Sequence, residues 1–165
     1  MLTNFFAKRK WRRQLSEYFS ADAVKAIVEG RPLDTGKIQS GPIEFVFVLV
    51  RAGSPEQLAE SVGMVADVGI EHDAVVHDLT GPMVVMAFGT LKAARHSPTS
   101  RAELVIHLQQ QLGGDIRIVH GAAHGHFGSF GSNTRISYTF TFPHFDKALA
   151  ALARIEFGQT QELLP

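Results

Sequence analysis

The chain has 165 residues, 45% of them apolar and 19% charged, a composition that excludes intrinsic disorder and fills one domain. Lys+Arg and Asp+Glu balance at 16 each, so no overall field draws a polyanion and little net repulsion opposes self-association. There is no Cys, which excludes disulfide staples and thiolate metal sites and suits a reducing cytoplasm.

The N-terminus carries a basic cluster, Lys8, Arg9, Lys10, Arg12 and Arg13, with no apolar stretch after it. It reads as the solvated start of a helix and not as a secretory signal, and nucleic acid is not an expected partner. Helical patterning covers Trp11–Phe19 and Ala21–Glu29, and Gly30 stops it, so residues 1–30 form a helical lead-in. Residues 31–42 hold Pro32, Gly36, Gly41 and Pro42 and read as a linker of turns. The main domain then spans 43–165.

Ile43–Arg51 is almost uniformly apolar, as a central strand covered on both faces must be. No apolar run exceeds the six residues of its Phe45–Val50 core, far short of the roughly 20 residues a membrane helix needs. Ser54-Pro55-Glu56-Gln57 starts a helix as N-cap, first-turn Pro and capping-box Gln, and Gly69 is read as its stop. Ala74–Leu79 and Met83–Phe88 form a hairpin about Thr80-Gly81-Pro82. Pro98 and Thr99 open a helix with Leu104, Leu108, Gln111 and Leu112 on one face, and Gly113-Gly114 end it. A second hairpin joins Asp115–Phe127 to Arg135–Phe142 around Gly128–Asn133. Pro143 opens a last helix that buries Phe145, Ala148, Leu149, Leu152 and Ile155, and Gln159–Leu164 adds an edge strand. The order β-α-β-β-α-β-β-α-β predicts an α+β, ferredoxin-like fold, an antiparallel-rich sheet with helices packed on one face.

Four stretches in this order resemble the class III adenylate/guanylate cyclase catalytic domain. RRQLSEYFSADAVKAIVEGRPL is similar to its helical lead-in, and GPMVVMAFG (Gly81–Gly89) to its GDxVMAxFG strand. GSFGSNTRISYTF (Gly128–Phe140) is similar to GNIGSxxRxxYTV, and FDKALAALARIE to VNLAARLE. The resemblance implies a head-to-tail dimer with a nucleotide cleft between subunits. It also implies two aspartates holding two divalent ions, which would activate the ribose hydroxyl and neutralise the triphosphate.

The chain departs from that pattern at every reactive position. The aspartate at the end of the first strand corresponds to Arg51, and no acid occurs between Phe45 and Pro55. The second corresponds to Pro82. The Asn and Arg of the last helix correspond to Asp146 and Ala150, and the two purine-reading positions to Asp78 and Pro143. Each missing electrostatic group costs about 10²–10³ in rate, so no catalysis, metal or nucleotide cofactor is expected.

His120, His124 and His126 fall on one side of a strand, a face expected to look toward the partner while Val119, Ala123 and Phe127 meet the helices. Such imidazoles suit Zn²⁺ or a pH-sensitive seam, but an ordinary polar sheet face is the expected reading. The glycines at 121, 125, 128 and 131 lack the helix start and Lys-Ser/Thr pair of a phosphate loop. Phe45, Phe47, Phe127 and Phe140 lack interleaved cations and read as core rather than base-stacking platforms. The leading expectation is a catalytically silent cyclase homology domain, a dimerising and regulatory module in the cytoplasm, homodimeric or paired with another cyclase-like domain. One alternative is an active cyclase completed by a partner subunit, and another is a nucleotide- or RNA-binding α+β protein.

Overall fold

The computed structural model describes residues 38–51, 53–90, 99–132 and 135–164. The expected helices Trp11–Phe19 and Ala21–Glu29, residues 31–37 of the linker, and Pro98 lie outside the described residues. Within them the chain runs β1 (Gln39–Val50), α1 (Pro55–Glu71), β2 (Val75–Thr80), β3 (Met83–Phe88), α2 (Ser100–Leu112), a 3-10 turn, β4 (Ile116–Ser132), β5 (Arg135–Thr141), α3 (Phe145–Arg154) and β6 (Thr160–Leu163). This is the expected order of an α+β fold. Among these residues no helix is long and apolar enough to cross a membrane.

The six-stranded sheet has the path β2-β3-β1-β4-β5, with β6 added parallel to β4. β1 lies at its centre, antiparallel to β3 and to β4. It begins at Gln39, so Gln39–Pro42 is strand and not linker. Pro42 is tolerated there because of its register. Ile118 N donates away from β1, to Gln159 O at 3.1 Å, so by alternation His124 does too and its pairing with Pro42 is of the non-hydrogen-bonded kind. The proline nitrogen therefore faces the β3 side, where pairing stops at Glu44 and Phe88.

Alternation along β1 builds two cores. Val46, Val48 and Val50 pack with Val65 and Val68 of α1 and Leu104, Val105 and Leu108 of α2. Ile43, Phe45 and Phe47 pack on the other face with Phe140, Phe142, and Ala148 and Leu152 of α3. The expectation of helices on one face thus holds for α1 and α2, and α3 lies on the opposite one. It is placed there by aromatic stacking, with Phe45 and Phe142 rings 4.5 Å apart and Phe145 5.0 Å from Phe47.

Two glycine readings change. Gly69 does not end α1, which continues to Glu71; it is buried where a side chain would run into the Met86 sulfur of β3. The stretch from Gly128 to Ser132, read as a turn, continues β4 and pairs with β5. Gly128 adopts φ 142, a value side chains rarely allow. The sheet curls enough that His77 of β2 sets its ring edge against Phe140 of β5, 4.7 Å away, though these strands are the two ends of the path.

Candidate functional site

The end of β1 and the β2–β3 turn are direct neighbours. Val50 N donates to Pro82 O at 2.9 Å, so Arg51 and Pro82, far apart in sequence, stand at one end of the sheet. The turn owes its shape to Gly81 at φ 58, with Pro82 following. Arg51 N donates to Asp115 O at 2.7 Å. The Arg51 side chain turns toward the 3-10 turn after α2: its Nη2 donates to Gly114 O at 2.5 Å and its Nε lies 3.6 Å from Asp115 Oδ1. Its guanidinium also covers the Phe157 ring at 4.6 Å, and Arg117 covers the same ring at 4.8 Å.

This corner is therefore cationic and internally paired. Asp115 is 69% exposed beside Arg51, and a surface ion pair of this length contributes at most about 1 kcal/mol. Arg117 Nη1 donates to Ala153 O at 3.1 Å and Ile155 O at 2.9 Å, which fastens the C-terminus of α3 to the same corner.

The remaining singled-out positions sit apart from it. Asp78 is exposed on β2 just after a bulge, where the register shifts between Val76 and Asp78. Asp146 and Ala150 share one face of α3, four residues apart, with Asp146 exposed and Ala150 half-buried. Arg154, one turn further, is exposed as expected.

Pro143 lines a cavity of about 540 Å³ together with Phe45, Phe142, His124, Lys147 and Leu163. The cavity has a topological cause. On one edge of β4, β6 pairs up to Gly121 and β5 starts at His126, which leaves Ala122–Gly125 without a registered partner there. Sequence reasoning missed this notch and Lys147, because the residues around it converge only when both edge strands are placed.

The three β4 histidines share a face, as alternation requires, but their surroundings differ. His120 is half-buried beneath α2, His124 Nε2 lies 3.0 Å from Ser40 Oγ, and His126 is exposed. Burial pushes the His120 imidazole below its ordinary value; Arg101 adds to this and Glu162 opposes it. The His-bearing face is not the helix-free one: Ile118 on it packs under α2, while Val119 and Phe127 meet α3. Among the described residues no group of three or more metal-ligating side chains assembles.

No protein-family model matches the chain, nor does the sequence of any curated protein. Solved structures do match it. The adenylyl cyclase CyaB from P. aeruginosa is similar over 76% of this chain and 78% of its own, with TM-score 0.63 and 14% identity. The guanylyl cyclase Cya2 is similar over 75% of each chain, with TM-score 0.57 and 17% identity. The non-canonical dimeric guanylyl cyclase domain of the RhoGC fusion protein from the aquatic fungus Blastocladiella emersonii is similar over 76% of this chain and 81% of its own, with TM-score 0.61 and 7% identity. The fold is that of adenylyl and guanylyl cyclase catalytic domains. The cyclase-like sheet explains why the β1 end and the β2–β3 turn come together in this chain.

Proposed function

We propose that this chain is a catalytically silent cyclase-fold domain that works as a dimerising, regulatory interaction module. The observation that carries the reading is the placement of Arg51 and Pro82 at one end of the sheet. At the strand end and hairpin turn where the resemblance implies two carboxylates, the chain presents a guanidinium already committed to Gly114, Asp115 and Phe157, and a proline. A hard divalent cation needs oxygen ligands, and a fixed cation beside it raises the electrostatic cost of binding.

Asp146 and Ala150 on α3 extend the same reading, since neither supplies a cation for a transferring phosphoryl group. Association draws on different features. The chain has no net formal charge, and one similar cyclase domain forms a non-canonical dimer, while its double mutant is monomeric. Incubation of the full chain with ATP or GTP and Mg²⁺ or Mn²⁺ is expected to yield no cyclic nucleotide. Sedimentation at micromolar protein is expected to give a dimer or, with a cyclase-like partner added, a heterodimer. Cyclic product from the chain alone overturns the silent reading; product only on mixing with a partner supports the complemented cyclase instead; a strict monomer under all conditions overturns the module.

A further inference from the structure

The packing of α1 against α2 joins two histidines that no role described so far uses. His72 caps the C-terminus of α1, its amide held by Val68 O and Gly69 O, both at 3.2 Å. His107 lies in the middle of α2. His72 Nε2 stands 3.0 Å from His107 Nδ1, with ring planes at 79° and centroids 5.3 Å apart, and both rings are half-buried. The other ring nitrogen of His107, Nε2, lies 2.8 Å from the side-chain amide of Gln111, one turn further along α2. Rotating that amide by half a turn places its oxygen there. It then accepts the Nε2 proton and leaves the Nδ1 lone pair aimed at His72.

Two imidazole nitrogens at this separation have two ways to avoid lone-pair repulsion: share one proton or ligate one cation. Metal–nitrogen bonds of about 2.0–2.1 Å at angles between square and tetrahedral set ligand nitrogens about 2.9–3.4 Å apart. The observed spacing falls in that window. The Gln111 contact supplies the outer hydrogen bond that orients a ligating histidine and fixes its tautomer. Neutral imidazoles select borderline transition metals and not the oxygen-seeking Mg²⁺.

We propose that His72 and His107 form a two-histidine site for a divalent transition-metal ion of the zinc and copper class, clipping the C-terminus of α1 to α2. With no third protein ligand among the described residues, water completes the coordination. The site shares no residue with the Arg51–Pro82 corner, so it stands or falls independently of the proposed function.

The test uses the full chain in chelator-free buffer. Zn²⁺ at about 100 µM raises the thermal midpoint by roughly 3–6 °C, because an ion bound only to the native state stabilises it; Mg²⁺ does not. The rise disappears in His72→Gln and in His107→Gln, which keep a hydrogen-bonding side chain but lose the ligand. It persists in His124→Gln/His126→Gln, which removes the exposed histidines of β4. Should the α1–α2 variants not fold, the Cu²⁺ electron paramagnetic resonance spectrum of the wild-type chain decides, with two coupled nitrogens per bound ion expected. A zinc response that survives in folded His107→Gln, or a wild-type copper spectrum without two nitrogens, overturns the site.

Discussion

Arg101 Nη2 of α2 lies 2.8 Å from Glu162 Oε1 of β6, and this ion pair crosses directly above the strand position of His120. Gln109, further along α2, donates to Thr160 Oγ1 at 2.6 Å. β6 has only four residues and among the described strands pairs with β4 alone, and these two side chains tie it to α2. The Arg101 side chain is 18% exposed and that of Glu162 48%, which puts the pair between a screened surface contact and a buried one. Arg101→Met is expected to cost about 1–2 kcal/mol in a denaturant titration, and a double-mutant cycle with Glu162→Gln to return a coupling of about 0.5–1 kcal/mol. Hydrogen exchange at Thr160–Leu163 should accelerate in both variants. A coupling near zero would make the pair a chance neighbour.

His120 sits beneath that pair, and its depressed pKa fixes the sign of a pH effect. Burial and the Arg101 charge disfavour its protonated form in the folded chain, against partial compensation by Glu162. The unfolded chain takes up the proton near pH 6.5 and the folded one only lower, so the unfolded state binds more protons in between and stability falls as pH drops through that window. Above about pH 7 the effect is absent. His120→Asn should flatten the stability profile below about pH 7, and an unchanged slope would show that other groups set it.

The start of α1 gives a third test. Ser54 Oγ accepts from Gln57 N at 3.2 Å, and Gln57 Oε1 accepts from Gly53 N at 3.1 Å, one residue short of the usual reciprocal bond. A hydrogen bond from its own backbone amide and a second from the Ser54 hydroxyl hold the Glu56 carboxyl below its ordinary range. Ser54→Ala should cost about 1 kcal/mol, and Ser54→Asp should restore most of it. The Glu56 titration followed by NMR should move upward in Ser54→Ala and stay put if the hydroxyl is irrelevant.

These examples mark how far the sequence could be read. The Ser54-Pro55 cap, the apolar β1 and the Gly81-Pro82 turn are local signals, and each names its own structure. The corner of Arg51 and Pro82 was legible as two positions and needed β1 and β3 paired before it became one place. Gly69 was misread because a helix stop and a helix packing contact use the same residue; the Met86 sulfur that decides between them comes from another strand. The side of the sheet taken by α3 depends on the Phe45–Phe142 stack. His72 and His107 carried no signal at all, being 35 positions apart on helices whose relative rotation only the core determines.

Glycine supplies the last prediction, since the same residue type does opposite work at two places. A Cβ on Gly121 would stand 2.6 Å from Leu163 O and 2.9 Å from Phe45 Cζ, and one on Gly125 2.5 Å from Thr141 O and 2.8 Å from Ile43 Cδ1. Backbone oxygens of β6 and β5 cannot retreat without breaking their ladders, and the Phe45 ring is locked against Phe142. Gly121→Ala and Gly125→Ala should therefore each destabilise by about 2–4 kcal/mol. Gly63 in the middle of α1 has nothing within 4 Å of the same built atom. There the alanine relieves only the entropic cost of glycine in a helix, and Gly63→Ala should stabilise by about 0.5–1 kcal/mol. Urea titration of the three variants checks both signs, and a destabilising Gly63→Ala would mean that its open face is covered in the native protein.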